Sequence, residues 1–336
     1  MGSDTPRSTS PTGEVNVTHS PEYELVGSLF FPRHLEARKR VEEQNSRFVH
    51  YTSASVALNI MRDPHFWMRN AITMNDFSEI QHGKKCVLSA YKDPDIGLRL
   101  TNFLNSIHPE FSKLLEEHFN GWLPHFEQDT FLISLSEHLS EEDKYGRLSM
   151  WRAYGQGTGV ALVLRNTPFM AETNDLKAFS SPVLYATPEQ YADNMRSVVN
   201  NIITRKDEVA SLSFETLFAC MFMLLKNDLL CTKHPGFSEE REWRVYYSPT
   251  VERSNAIVRD FAVVDGIPQI IHKIPLINDP NNGLHSADIP SLFERIIIGP
   301  SKQPLTIFKA FSELLKDLGI ENPEERIFVS DIPLRT

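Results

Sequence analysis

Several features that mark other protein classes are missing from this chain of 336 residues. It holds only three cysteines, Cys86, Cys220 and Cys231, and no Cys-x-x-Cys pair. This excludes a disulfide framework and a cysteine-rich zinc site, and it favours a reducing, cytoplasmic compartment. The longest uninterrupted apolar run, residues 217–225, is about half of the roughly 20 residues that a membrane-spanning helix needs. We therefore expect no membrane partner.

The common catalytic motifs are missing as well. The chain has no phosphate-binding loop ending in Gly-Lys-Ser/Thr, no Gly-x-Ser-x-Gly nucleophile turn and no His-Glu-x-x-His zinc helix. Gly155, Gly157 and Gly159 fall short of the dinucleotide-binding fingerprint, because the third glycine comes one residue early and a strand, not a helix, is predicted after it. Their spacing favours a turn that needs positive φ values.

Basic residues are also in deficit, with 34 Lys and Arg against 44 Asp and Glu and a net charge of −10. This charge repels phosphate backbones and anionic lipids, so there is no strong nucleic-acid signal. The apolar fraction of 41% is typical of a globular protein. Residues 1–22, rich in Ser, Thr and Pro and without an apolar stretch, are predicted to be a disordered tail, and residues 23–336 a single α+β domain.

The spacing of apolar residues predicts both helices and strands, which favours an α+β fold of mixed small sheets with helical insertions around 98–120 and 188–231. The predicted strands cover residues 47–52, 66–74, 130–136, 159–164, 243–247, 295–299 and 326–330. The main predicted helices cover residues 79–92, 98–120, 188–206, 212–230 and 305–318. The last helix and its flanking strands read as a strand, crossover helix and strand.

Three short segments combine polar side chains with strand geometry. In the first, His50 and Thr52 share one strand face while Tyr51 points away, and an imidazole next to a hydroxyl can hold a ribose diol or an amide. A histidine satisfied within the core is the alternative. In the second, Ser134 and Ser136 share a face, and such hydroxyls bind a polar ligand or cap a turn.

Trp151 and Tyr154 follow the second segment, and their rings can stack on a flat heterocycle or pack in the core. In the third segment, Glu240 and Glu242 would crowd two carboxylates on one strand face, which raises the proton affinity of one of them. Arg241 and Arg244 can neutralise the pair, and a charged edge strand that discourages aggregation is the alternative interpretation.

Taken in order, these segments resemble a bacterial family catalogued only as domain of unknown function family 2971. The shared motifs are His50-Tyr51-Thr52, Asn75-Asp76 with Glu79, Ser134 with Ser136, Trp151 with Tyr154-Gly155, Glu240-Arg241-Glu242-Trp243-Arg244, Ile296 to Pro300 and Ser330 to Arg335. The resemblance runs from about residue 47 to the end of the chain. The ordered set is far more specific than any one of its members.

That family in turn looks distantly like the ADP-ribosyltransferase fold, in which a first-strand histidine or arginine, a middle serine or tyrosine and a late-strand glutamate bind NAD. Carried over, the resemblance implies that His50 binds the ribose next to the nicotinamide with the help of Thr52 and that Ser134 or Ser136 takes the middle position. It implies Glu242 as the catalytic glutamate, with Glu240 able to exchange roles with it. The other residues expected to contact the substrate are Tyr51, Trp151, Tyr154 and Arg244. Of these, Tyr154 is expected to stack on the nicotinamide.

The function expected on this basis is NAD-dependent ADP-ribosyl transfer to a macromolecular acceptor, or NAD hydrolysis, in a toxin or phage-defence setting. Two alternatives stay open. One is a metal-dependent nuclease or phosphodiesterase, with Asp76, Glu79, Glu240 and Glu242 as oxygen ligands of Mg²⁺. The other is a nucleotide-binding or interaction protein without catalysis. All three depend on whether His50 and the late carboxylates meet in space.

Overall fold

The computed structural model describes residues 20–73, 77–155, 157–170, 175–264 and 266–333. Residues 1–19 of the predicted tail, together with Asn75 and Asp76, lie outside these described residues. The first helix begins at Pro21, where the side chain of Ser20 accepts a hydrogen bond from the amide of Tyr23. A proline in the first turn and an N-cap hydroxyl are typical start signals, so helical structure begins within the segment predicted as tail.

Helices and strands alternate along the described part of the chain. The helices are α1 (Pro21–Phe30), α2 (Pro32–Glu43), α3 (Ala54–Arg62), α4 (Phe77–Lys92), α5 (Arg99–Ile107), α6 (Phe111–Gln128), α7 (Leu148–Tyr154), α8 (Pro188–Thr204), α9 (Lys206–Ala210), α10 (Phe214–Leu230), α11 (Ile289–Leu292) and α12 (Pro304–Asp317). The strands are β1 (Arg47–Ser53), β2 (His65–Asn70), β3 (Phe131–His138), β4 (Gly159–Leu164), β5 (Ala178–Pro182), β6 (Leu184–Tyr185), β7 (Thr232–Lys233), β8 (Glu242–Tyr247), β9 (Val258–Val264), β10 (Ile267–Pro275), β11 (Phe293–Ile298) and β12 (Ile327–Val329).

Within the described residues, ten of these strands form one mixed, mostly antiparallel sheet. The order is β12-β11-β4-β1-β3-β2-β10-β9, and β8 pairs with both β3 and β5. β11 and β12 are parallel and joined through α12, as predicted for the last unit. The mixture of helices and strands agrees with the expected fold class, but a single large sheet replaces the mixed small sheets. Short β6 and β7 form a separate pair.

The sheet divides along β3. Because β8 pairs with β3 over Phe131–Ser136, β1 and β2 must share its other edge. β2 pairs there with Phe131 and Leu132, whereas β1 pairs only from Ser136 onward. Residues 133–135 of β3 therefore face a gap between two diverging branches of the sheet.

Apolar packing covers both faces of the sheet and leaves one polar interval. On one face, α2, α3 and α12 pack on β1, β3, β4, β8 and β11. On the other face, α1, α4, α5, α6, α8 and α10 enclose a cluster that reaches the sheet at Leu132 and Tyr246. A second cluster on that face joins α7 to β1, β4 and β11. Ser134 and Ser136, with Arg244 and Glu242 directly opposite them on β8, lie between these two clusters.

The predicted helix over residues 98–120 is divided in the structure. α5 ends at Ile107, and α6 begins at Phe111 after Glu110, whose φ of 62° lies in the left-handed region. Pro109 disfavours a helical conformation at the preceding residue, so the apolar spacing continues across a break in the backbone. The other predicted insertion consists of α8, α9 and α10, as its two amphipathic and buried patterns indicate.

Candidate functional site

A cleft of about 630 Å³ opens where the two branches of the sheet separate. Eight of the residues predicted as the site line it. They are His50, Tyr51, Thr52, Ser134, Ser136, Tyr154, Glu240 and Glu242. Arg244 lies beneath the cleft and Trp151 behind its wall. The fold thus gathers residues from β1, β3, α7 and the start of β8 around one space.

His50 lies at the division of the sheet. Its Nδ1 donates a hydrogen bond to the backbone carbonyl of Ser134, at 3.2 Å, in the part of β3 that has no strand partner on that side. Its ring also meets Phe66 of β2 edge-on. Burial lowers the pKa of His50, although this hydrogen bond opposes the effect, so the imidazole is neutral at neutral pH. A neutral imidazole in this position can orient a ligand without delivering a proton.

Ser134 connects the histidine to the late carboxylates. Its hydroxyl donates to Oε1 of Glu242 at 2.5 Å, while its carbonyl accepts from His50. Ser136 is paired directly with Glu242 across β3 and β8 and is 3% exposed. The two hydroxyls share one strand face, as the alternation predicted.

Glu242 is held by several donors at the base of the cleft. Besides Ser134, it accepts from Nε of Arg244 at 2.8 Å and from Nζ of Lys233 at 3.1 Å. Its backbone amide donates to the hydroxyl of Tyr185 at 2.8 Å. Burial by itself raises the pKa of Glu242, but Arg244 and Lys233 outweigh it and hold the pKa at about 2. The carboxylate is therefore ionised at neutral pH.

Lys233 brings three carboxylates together. Its ammonium lies 2.8 Å from Glu79 of α4, contacts Glu240 and binds Glu242. Arg244 also binds Glu79, and it donates to the carbonyl of Leu230 at 2.7 Å. Burial lowers the pKa of Lys233, yet the charges of Glu242 and Glu79 overcome this and raise it. Among the described residues, this ion cluster consists of two cations and three carboxylates.

Glu240 lies closer to the open cleft than Glu242. It ends a short 3-10 turn, Pro235–Glu240, so the two glutamates do not share a strand face as predicted. Arg241 between them has a φ of 44° and binds Glu142 instead of neutralising the pair. The side chain of Glu240 is 16% exposed, against 4% for Glu242. Burial raises the pKa of Glu240, and Lys233 opposes that shift.

The alternative of a charged edge strand does not hold for this segment. β8 lies between β3 and β5, and every residue from Glu242 to Tyr247 is buried. An internal buried strand has no exposed edge to protect from aggregation. The charges of Glu242 and Arg244 are instead satisfied within the ion cluster.

The aromatic residues divide into two groups. Tyr154 at the end of α7 is 42% exposed, lines the cleft, and its hydroxyl lies 3.5 Å from Oε1 of Glu240. Trp151 is 6% exposed and does not line the cleft. Its Nε1 donates to the carbonyl of Tyr145 at 2.8 Å, and its ring meets that of Tyr51 edge-on at 4.8 Å. Tyr51 in turn accepts a hydrogen bond from the amide of Arg147 through its hydroxyl.

The carboxylates predicted as Mg²⁺ ligands are already bound to cations. Glu79, Glu240 and Glu242 all contact the ammonium of Lys233, and Asp76 lies outside the described residues. Among the described residues, no group of three or more His, Cys, Asp or Glu is arranged to hold a metal ion. A metal at this position would have to displace an ammonium from the same oxygens.

Three residues of this region were not predicted to contact the site, namely Lys233, Tyr185 and Arg69. Lys233 and Tyr185 come from the short paired strands β7 and β6, which are too brief for a periodic signal. A lysine three residues after the end of the apolar helix α10 was the available indication, since a buried lysine needs a partner. Arg69 of β2 also lines the cleft.

Comparison with known proteins supports the family resemblance. Residues 150–245 match the model of a family described as protein of unknown function, DUF2971. Over this segment the family prediction is confirmed. The matched segment contains Trp151, Tyr154 and the residues from Glu240 to Arg244. No curated protein and no solved structure matches the chain. No described helix is long and apolar enough to span a bilayer.

Proposed function

We propose that the cleft binds NAD and that the protein cleaves the bond between nicotinamide and ribose, transferring ADP-ribose to a macromolecular acceptor or to water. On this proposal the divided sheet is an ADP-ribosyltransferase-like core and NAD is a substrate. One observation carries it. His50, Ser134 and Glu242 are far apart in the sequence, yet two successive hydrogen bonds join them at one cleft.

The chemistry suits this set of side chains. Nicotinamide departs from a cationic ring as a neutral molecule when the electron pair of the glycosidic bond moves onto its nitrogen. No general acid is needed, and the barrier lies in the positive charge that develops on the ribose. A nearby carboxylate stabilises this oxocarbenium-like state more than it stabilises the bound substrate. The acceptor or water then bonds to the same carbon and releases its proton.

Each residue has a role in this scheme. Glu242 supplies a fixed negative charge beneath the ribose, because its pKa of about 2 keeps it ionised at neutral pH. Glu240, the more exposed carboxylate, accepts a hydrogen bond from a ribose hydroxyl. His50 and Thr52 orient the ribose, and Tyr154 stacks on the nicotinamide. Lys233 acts as a positioning residue for both carboxylates, and Arg244 acts as one for Glu242.

The test is to incubate the full chain with NAD and measure free nicotinamide, with and without a lysate of protein and nucleic-acid acceptors. Glu242→Gln keeps the shape of the side chain but removes its charge, and we expect at least about a hundredfold loss of nicotinamide release. Glu240→Gln should lose about tenfold. Glu127→Gln is the matched control, because Glu127 is 17% exposed and pairs with Lys84 on the surface of α6 and α4, away from the cleft.

The outcomes separate the three candidate functions. Nicotinamide release that survives EDTA and is lost in Glu242→Gln supports the proposal. Release or phosphodiester cleavage that EDTA abolishes would support a metal-dependent enzyme. Calorimetric binding of NAD with no turnover in either protein would support a nucleotide-binding protein instead. Folded protein that neither binds nor cleaves NAD would overturn the proposal.

A further inference from the structure

Arg69 on β2 lines the cleft from the wall opposite β1. Its two hydrogen bonds are long, at 3.4 Å to the carbonyl of Thr73 and 3.4 Å to Oε1 of Gln269. Its Nε is buried and has no hydrogen-bond partner, and within the described ranges no carboxylate lies within ion-pair distance of it. The guanidinium of Arg69 lines the cleft, and its buried Nε–H donor has no acceptor in the part of the protein that the structure describes. A ligand bound in the cleft could supply that acceptor.

Two other cations near the cleft, Lys233 and Arg244, already form ion pairs with glutamates. Lys233 binds Glu79, Glu240 and Glu242, and Arg244 binds Glu79 and Glu242. Neither cation lines the cleft. Among the described cleft-lining residues, Arg69 is therefore the single Lys or Arg. The carboxylate end of the cleft repels an anion, so the negative part of any bound molecule is directed toward Arg69.

The sheet register gives the spacing between these two ends. Arg69 lies directly opposite Leu132 on β3, and their side chains share the face that Ser134 and Ser136 also use. Ser134 is two residues farther along the strand, a rise of about 7 Å. In NAD the diphosphate is separated from the bond to nicotinamide by one ribose. A diphosphate at Arg69 thus leaves the reacting ribose beside Ser134 and the two glutamates.

The geometry points to Arg69 as the residue that binds the diphosphate of the dinucleotide, an inference that rests on the proposed function. The guanidinium offers a planar set of donors that matches phosphate oxygens, and its charge offsets the anion within a cleft that is otherwise acidic. This assigns a direction to the substrate. The nicotinamide end lies toward β8 and Tyr154, and the phosphate end lies toward β2.

The experiment compares ligands with and without phosphate on Arg69→Gln. Calorimetry should show that the variant binds NAD about 10- to 100-fold more weakly than the unchanged protein. Binding of nicotinamide riboside, which has no phosphate, should be unchanged. Arg259→Gln on β9 is the matched control, because it removes the same charge from an exposed arginine that stacks on Phe261 outside the cleft. Arg69→Lys should recover only part of the NAD affinity, since lysine keeps the positive charge but lacks the planar set of donors that a guanidinium offers to phosphate oxygens.

The possible results distinguish this inference from the proposed function. If NAD binds and Arg69→Gln binds it as tightly as the unchanged protein, the diphosphate assignment is overturned and the proposed function stands. An equal loss for NAD and nicotinamide riboside would also overturn it, because the residue would then be shaping the cleft. If neither nicotinamide compound binds, inorganic pyrophosphate is titrated. If pyrophosphate binds to the unchanged protein but not to Arg69→Gln, the result supports an anion site at Arg69 without the proposed function. If pyrophosphate does not bind either, both the proposed function and the diphosphate assignment are overturned.

Discussion

The ion cluster beneath the cleft and the packing around Trp151 lie side by side on one face of the sheet. The segment that matches the family model, residues 150–245, contains Trp151 and every member of the ion cluster except Glu79. The ion cluster is held by charge, with Arg244 at 0% exposure between Glu79 and Glu242. The tryptophan is held by shape, with its ring set closely against Gly146 and Gly299.

The comparison shows that the segment around Trp151 and the segment from Glu240 to Arg244 have different structural roles. Trp151 supports the wall, because its indole is enclosed and its one polar atom is satisfied by the carbonyl of Tyr145. The ion cluster exposes Glu240 at the cleft while it keeps Glu242 ionised below. Charge pairing positions Glu240 and Glu242, whereas close packing fixes the frame around them. The three predictions that follow test this division from the largest expected effect to the smallest.

Breaking the ion cluster should have the largest effect on stability. Arg244→Met leaves Glu79 and Glu242 with a single shared cation, so we expect the free energy of unfolding to fall by about 3–5 kcal/mol. Urea denaturation measures it. Arg196→Met is the control, because Arg196 of α8 forms surface pairs with Asp93 and Asp193, and their removal should cost less than about 1 kcal/mol. Equal losses in the two variants would contradict the claim that charge holds this region together.

The pH dependence of stability should identify Glu242. Its pKa is about 2 in the folded protein against a reference of 4.5, so the unfolded chain takes up a proton first as the pH falls. The stabilisation is complete above about pH 5 and is lost as the pH falls from about 4.5 to 2. Compared at matched pH by urea denaturation, the unchanged protein should lose about 3 kcal/mol relative to Glu242→Gln across this window. A constant difference between the two proteins would contradict the assignment.

A crowded glycine should test the region held by shape. In Gly299→Ala the new Cβ would lie 2.7 Å from Cε3 of Trp151, whose ring is fixed by Tyr51 and Tyr145. We expect a loss of about 1–3 kcal/mol in the free energy of unfolding. Gly121→Ala in α6 is the control, because nothing lies within 4 Å of its Cβ and a helical alanine should gain about 0.5–1 kcal/mol. An unchanged stability in Gly299→Ala would mean that the tryptophan is loosely packed.

Local patterns predicted many elements well. The helix expected over residues 188–206 is α8, which begins with a capping box between Thr187 and Gln190. The strand expected over residues 159–164 is β4, and all six of its residues are buried. Where a pattern continues across a bend it misleads, as at Glu110 between α5 and α6. Apolar spacing reports which side of a segment is buried, and it does not report where the backbone turns.

The site was partly predictable for the same reason. The alternation of His50 with Thr52 and of Ser134 with Ser136 follows from strand geometry. The separation of Glu240 from the strand of Glu242 does not, because it depends on the left-handed turn at Arg241. Lys233 and Arg69 have no periodic signal that places them at the cleft, and the role of each depends on partners from other elements.

The sequence by itself determined the mixture of helices and strands, the acidic balance, the family match over residues 150–245 and the polar segments from which a site could be built. The tertiary structure alone decided that β1 and β2 diverge along β3, that Lys233 joins three carboxylates, and that Arg69 faces them across a cleft. The physical reason is how far apart in the sequence the interacting residues lie. Backbone periodicity and capping act between neighbours along the chain, whereas ion pairing and the division of a sheet depend on segments that only folding brings together.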